Sequence, residues 1–146
     1  MKEIRIFVDS DVVISSLISS SGAAYLLMNL KKKNLKFFIS NISQKELQIV
    51  SRRLKIESKN LEKLIENRLK VITLKENNKN LSQKFIDYVW DPNDAHIIAG
   101  AVRSKANFLL TYNGRHYQKE KIKKDFNILI LTPAIFLQYL RSKKEF

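Results

Sequence analysis

Acidic residues that stand far apart in this chain each fall where an α/β fold places its working edge. Asp9 ends the apolar run IRIFVD, Glu46 lies in the first turn of the helix-like stretch SQKELQIV, and Asp94 opens DAHIIAGAV. Asp11 stands two residues beyond the first run, Asp91 precedes Asp94 in an Asp-x-x-Asp pattern, and Asn113 follows the apolar run NFLLTY. Carboxylates gathered at the carboxyl ends of parallel strands make a hard-oxygen cage suited to Mg²⁺ or Mn²⁺. The body around them is basic, with 27 Lys and Arg against 14 Asp and Glu. An acidic pocket in a basic body has the parts of a metal-dependent nuclease: the body holds phosphates, and the pocket holds the ion that assists attack on one.

Each acid also has a purely structural use. Asp9 suits the N-cap of a following helix. Ser43-x-x-Glu46 matches a capping box, in which the glutamate reaches back to the serine amide, and Asp91-x-x-Asp94 resembles the same device. What favours a shared site is that all of them lie just past strand ends or in first helical turns, which converge on one edge of a sheet.

The elements that would position them alternate from end to end, which argues a three-layer α/β/α domain with a mainly parallel central sheet. IRIFVD, KFFIS, VITL, NFLLTY and NILIL read as strands. Helices are expected across VVISSLI, across AAYLLMNLKKK with a basic last turn, and across SQKELQIVSRRLKI, SKNLEKLIENRLK and LSQKFIDYVW. DPNDAHIIAGAVRSKA takes Asp91 as N-cap and Pro92 at the first helical position, and TPAIFLQYLRSKK closes the chain through Thr132 and Pro133. No internal repeat, linker or low-complexity segment interrupts this order, so residues 1–146 are expected to form one domain.

Composition narrows the classes. At 146 residues and 45% hydrophobic the chain buries a substantial core. Its longest apolar runs are too short to span a bilayer, and the first of them contains Arg5 and ends on Asp9, unlike a signal peptide. The absence of cysteine excludes disulfides and zinc–thiolate sites and leaves a cytoplasmic location as the default expectation. The net charge of +13 calls for a polyanion, nucleic acid first. The same excess has a compositional reading, since the chain is rich in Lys, Asn and Ile, as products of AT-rich genomes often are. Basic clusters at 31–33, 52–55, 119–124 and 141–144 are spread over several elements rather than gathered on one amphipathic helix, which argues against a membrane surface.

Taken in order, these segments resemble the PIN-domain family, many of whose members are the ribonuclease toxins of VapBC-type toxin–antitoxin pairs. FVDSDVVISSLIS is similar to the family's opening strand and DTNVLIS-type motif, which puts Asp9 on its first acid. NISQKELQIVSRRL is similar to the segment carrying the second, at Glu46. DPNDAHIIAGAVRSKANFLLTYNGRHY resembles the third block, with Asp94 on the third acid and Asp91 on an acid often found just before it. TPAIFLQYL is similar to the closing segment. The chain departs from the pattern twice: Asp11 stands where the family commonly has Asn, and Asn113 stands where it usually has a fourth acid. The second departure puts a second metal position in question.

The resemblance implies a Mg²⁺- or Mn²⁺-dependent endoribonuclease using Asp9, Glu46 and Asp94, helped by Asp91, Asp11 and Asn113. It implies RNA as substrate, an antitoxin protein as partner, and a homodimer. Arg115, His116 and Tyr117, in the loop after Asn113, are candidates for holding the strand. His96, among Ile97, Ile98 and Ala101, reads as a partly buried helix histidine. Two rivals stay open. One is a PIN-like domain that only binds RNA or protein. The other is a phosphohydrolase of the haloacid dehalogenase type, suggested by Asp9-Ser-Asp11, although the Thr expected two residues beyond the second Asp is Val13 here and no convincing catalytic Lys segment follows.

Overall fold

The computed structural model describes residues 2–143. Lys144, the end of the last basic cluster and of the expected closing helix, lies outside the described residues, as do residues 1, 145 and 146. The strands are β1 (Ile4–Val8), β2 (Leu35–Ser40), β3 (Leu69–Ile72), β4 (Phe108–Leu110) and β5 (Leu129–Leu131). They pair in the order β3-β2-β1-β4-β5, every pair parallel. Parallel neighbours need crossovers, and helices supply them. Those helices are α1 (Ser10–Ile18), α2 (Ala23–Met28), α3 (Asn41–Arg53), α4 (Ser58–Arg68), α5 (Asn78–Phe85), α6 (Ala95–Arg103), α7 (Lys119–Phe126) and α8 (Pro133–Ser142).

Alternation along the central strands sorts the core onto two faces. Ile6, Val8, Phe37, Ile39, Phe108 and Leu110 point to one side, against residues of α1, α2, α3, α4 and α8. Phe7, Phe38 and Leu109 point to the other, against α5, α6 and α7. The expected three-layer α/β/α architecture is therefore present, with the sheet wholly parallel. Among the described residues no helix is long and apolar enough to cross a membrane.

Phe7 is fully buried at the centre of the sheet and lies against Gly100 of α6. A Cβ on Gly100 would stand 2.4 Å from Phe7 Cζ, so the helix seats this close to β1 only because the position lacks a side chain. Residues 95–101 of α6 are all buried, which explains a run of Ala, Ile and Gly that no solvent-facing helix would carry.

Several local expectations change. α2 ends at Met28, where the Asn29 amide closes the last turn onto Tyr25 and Leu27 carbonyls, so Lys31–Lys33 lie beyond the helix and do not form its basic turn. α3 begins directly at the end of β2. Its N-cap is Ser40, whose hydroxyl accepts from the Ser43 amide at 3.1 Å. The capping box proposed on Ser43 and Glu46 is thus absent, and Glu46 sits in the second turn rather than the first. α7 occupies the 119–124 cluster, where Ile122 is the single fully buried residue. One apolar anchor in KEKIKKDF gives almost no periodic signal.

Candidate functional site

Strand register builds the centre of the site. Val8 pairs with Leu110, and the Asp9 amide donates to the Leu110 carbonyl at 2.9 Å, so Asp9 and Thr111 stand side by side at the carboxyl edge. The two oxygens of Asp9 do different work. Oδ1 accepts from the Ser10 amide at 2.7 Å, which is the helix cap read from sequence. Oδ2 accepts from Thr111 Oγ1 and from the Tyr117 hydroxyl, each at 2.9 Å. The cap and the contacts to Thr111 and Tyr117 therefore coexist on one carboxylate.

Asp11 lies in the first turn of α1, beside the same loop. Its Oδ2 accepts from the Tyr112 amide at 2.9 Å, from Asn113 Nδ2 at 3.0 Å and from Thr111 Oγ1 at 3.3 Å. Its Oδ1 is buried and has no hydrogen-bond partner among the described residues. Burial, with repulsion from Asp9 second, pushes its pKa up to about 6.

Asp94 ends a short 3₁₀ turn, Pro92–Asp94, that leads into α6. Asp91 caps that turn through the Asn93 amide at 3.0 Å, as expected, but Asp94 makes no capping bond. Its Oδ2 lies 3.6 Å from His116 Nδ1 instead. Burial raises its pKa; repulsion from Asp9 and Asp91 adds to this, while His116 opposes it. Glu46 projects from α3 to His96 on α6, Oε1 to Nε2 at 3.2 Å. His96 is 5% exposed, more deeply buried than the sequence reading allowed, and its field also reaches Asp94.

The sheet edge thus brings Asp9, Asp11 and Asp94 into one electrostatic neighbourhood, with Glu46 joined through His96. Asn113 contributes its amide to Asp11 rather than a charge. Among the described residues, no three His, Asp or Glu side chains stand close enough to hold an ion as they are arranged. The donor set nevertheless fits a hard divalent cation. The oxygens are carboxylates that repel one another, and Asp11 Oδ1 is buried without the donor such an atom requires.

Tyr117 corrects an expectation. Placed at the rim as a strand-holding residue, it is instead 4% exposed, with its hydroxyl on Asp9. Burial and the surrounding carboxylates push its pKa far upward, so it remains a hydrogen-bond donor that orients Asp9. Arg115 and His116 are exposed in the loop, on the short turn Gly114–His116. Thr111 was missed as a site residue, although its place at the end of NFLLTY, in register with Asp9, marks it. Val13, where the dehalogenase pattern expects Thr, is fully buried in the core.

The raised acids set a pH dependence. Asp11 in the folded chain holds its proton to about pH 6, whereas an unfolded aspartate releases it near 3.8. Between those values the folded state binds more protons, so stability falls as pH rises through this window. The metal-free protein is expected to melt higher at pH 5 than at pH 7.5, by on the order of 5 °C. Mg²⁺ or Mn²⁺ should restore the loss at pH 7.5 only. Melting curves in EDTA and in Mn²⁺ check this; equal EDTA melting points at the two pH values would refute it.

Comparison with known proteins agrees with this geometry. A family model described as a PIN domain matches residues 5–115. The VapBC2 structure from Rickettsia felis, bound to a DNA fragment from its promoter, superposes with a TM-score of 0.59 at 18% identity, covering 87% of this chain and 97% of that one. VapBC-1 from nontypeable Haemophilus influenzae gives 0.60 at 16% identity, with 90% and 99% covered. VapC20 from Mycobacterium tuberculosis, a sarcin–ricin loop cleaving toxin, gives 0.51 at 14% identity, with 71% and 86% covered. No curated protein matches. At these identities the solved structures establish a shared fold, and the family model, spanning well over half of the sequence, establishes that the chain belongs to the PIN-domain family.

Proposed function

We propose that this protein is a Mg²⁺- or Mn²⁺-dependent endoribonuclease and the toxin of a toxin–antitoxin pair. The observation that carries the reading is the convergence of Asp9, Asp11 and Asp94 at the carboxyl edge of a basic PIN domain, with a buried oxygen of Asp11 left without a donor. Asp9, Asp94 and Glu46 would hold the ion, directly or through water, with Asp91, Asp11 and Asn113 completing the surroundings. When bound, the ion supplies Lewis acidity, lowering the pKa of water and offsetting charge that builds on the phosphate.

The chain's own groups do the positioning. Thr111 and Tyr117 fix Asp9 Oδ2, so that carboxylate does not turn away when a phosphate approaches. His116 lies against Asp94, its Nδ1 3.6 Å from Oδ2, and would contact a phosphate that binds beside that carboxylate. Arg115, exposed beside it, is placed to hold phosphate oxygens as a fork. The net charge of +13 draws the polyanion to the surface.

The assembly reading rests on relatives. The Rickettsia felis and Haemophilus influenzae structures are VapBC assemblies, which supports an antitoxin protein as partner, and a homodimer is proposed with it. A second reading, RNA binding without cleavage, draws on the neutral Asn113 and on the absence, among the described residues, of a preformed ion-holding cluster.

One experiment separates them. Labelled RNA is incubated with the purified protein in Mn²⁺ and in EDTA, and binding is measured against salt. Cleavage in Mn²⁺ alone is expected, with affinity falling steeply as salt rises because phosphate contacts release counterions. Tight, salt-sensitive binding without cleavage would replace the enzyme reading with the binding one. A flat salt curve would assign the lysine excess to composition.

A further inference from the structure

Next to the acidic cluster, the carboxyl ends of β4 and β5 and the first turn of α8 enclose a cavity of about 440 Å³. That volume falls in the roughly 300–1,000 Å³ range of small-molecule sites. Its wall is shared with the site: Thr111 and Asn113 line the cavity, and the same two residues bond Asp9 and Asp11. Three further features bear on what it would hold.

The first is a ring. Tyr112 lines the cavity and is 45% exposed, while its own backbone amide is anchored on Asp11. The exposed ring therefore stands on a fixed backbone at the cavity. The second is charge. Arg115 and Lys119 also line the cavity, and neither forms an ion pair with an acid among the described residues. The third is a cradle. A Cβ on Gly114 would stand 2.7 Å from Lys119 Cε and 2.9 Å from its Nζ, so the ammonium rests in the space that the missing side chain leaves. An apolar wall is added by Ile135, which is 49% exposed.

An aromatic face, an apolar wall and two uncompensated cations in a nucleotide-sized cavity match a base and its phosphate. We infer that this cavity is a subsite for one unpaired RNA nucleotide, with the base on Tyr112 and the phosphate on Lys119 and Arg115. Bases in an A-form duplex are stacked and paired and cannot enter such a pocket, whereas a splayed single strand can. The inference rests on the ribonuclease reading and narrows its substrate class to single-stranded segments.

The test is binding in EDTA, independent of cleavage. Fluorescently labelled oligouridylate and a duplex RNA of equal length are titrated into wild type, Tyr112→Ala, Tyr112→Phe, Lys119→Ala and Gly114→Ala. Tyr112→Ala should weaken oligouridylate binding about tenfold and Tyr112→Phe should retain it, because every base stacks on an aromatic face. Lys119→Ala should weaken binding and lower the salt slope by about 0.7, the signature of one lost phosphate contact on a single strand. Gly114→Ala should do the same in part, by displacing the flexible end of Lys119. Melting curves confirm that the variants are folded.

Unchanged oligouridylate binding in Tyr112→Ala and Lys119→Ala would overturn the subsite, even if wild type cleaves RNA in Mn²⁺. Equal losses on duplex and single strand would overturn it as well. If the single-strand losses appear but wild type fails to cleave, the subsite stands and the ribonuclease reading falls.

Discussion

Asp94→Asn is expected to lower RNA cleavage in Mn²⁺ by at least about a hundredfold without lowering the melting temperature. The asymmetry follows from what this carboxylate touches. Its side chain makes no capping bond at the start of α6, so an amide of the same shape removes nothing the helix needs. Burial and the charges of Asp9 and Asp91 already disfavour its ionised form, so the neutral replacement relieves repulsion in the metal-free protein. Cation binding loses one negative ligand at the same time. Cleavage assays and thermal melts on one preparation decide the matter. A folded Asp94→Asn variant that cleaves normally would return Asp94 to a structural role.

The second large effect is on stability. Gly100→Ala should destabilise the fold by about 3 kcal/mol and lower its melting temperature by on the order of 10 °C. The added methyl would meet Phe7 Cζ at 2.4 Å and Cε2 at 2.5 Å, and Phe7 is fully enclosed with nowhere to rotate. A double variant, Gly100→Ala with Phe7→Leu, should recover part of the loss, because the two positions compete for one volume. A Gly100→Ala protein as stable as wild type would show that α6 can shift outward at little cost. Such a shift would also move Asp94 away from Asp9, so cleavage measured on the same variant reports on the coupling between core and site.

Much of this was legible in the sequence, and the reasons are physical. Strands buried on both faces read as mostly apolar runs, so IRIFVD and KFFIS declared themselves even with Arg5 in the first. Thr132 and Pro133 at the head of α8, like Asp91 and Pro92 before α6, carry their cap chemistry in their residue types. What escaped was settled by distance rather than pattern. Ser43 looked like a cap because an acid follows three residues later, but β2 runs straight into α3 and gives the cap to Ser40. Tyr117 looked like a rim residue because its neighbours are Arg115 and His116. Its hydroxyl turns inward because Asp9, 108 positions earlier, is its partner. The pairing of Glu46 with His96 depends on two helices meeting over the sheet edge, and no local spacing announces it.

That long reach also governs when Asp9 becomes ordered as the chain is made. The two hydroxyls that orient Asp9 come from residues 102 and 108 positions later in the chain. β1, at the middle of the sheet, takes one neighbour from early in the chain and the other only when β4 has been made. Parallel pairing across such separations is slow to form, since loop closure precedes the contacts that reward it. A chain leaving the ribosome therefore carries Asp9 unbraced until Thr111 and Tyr117 have been made. A fragment that ends before Tyr117 lacks one of the two hydroxyls that hold Asp9 Oδ2 in place.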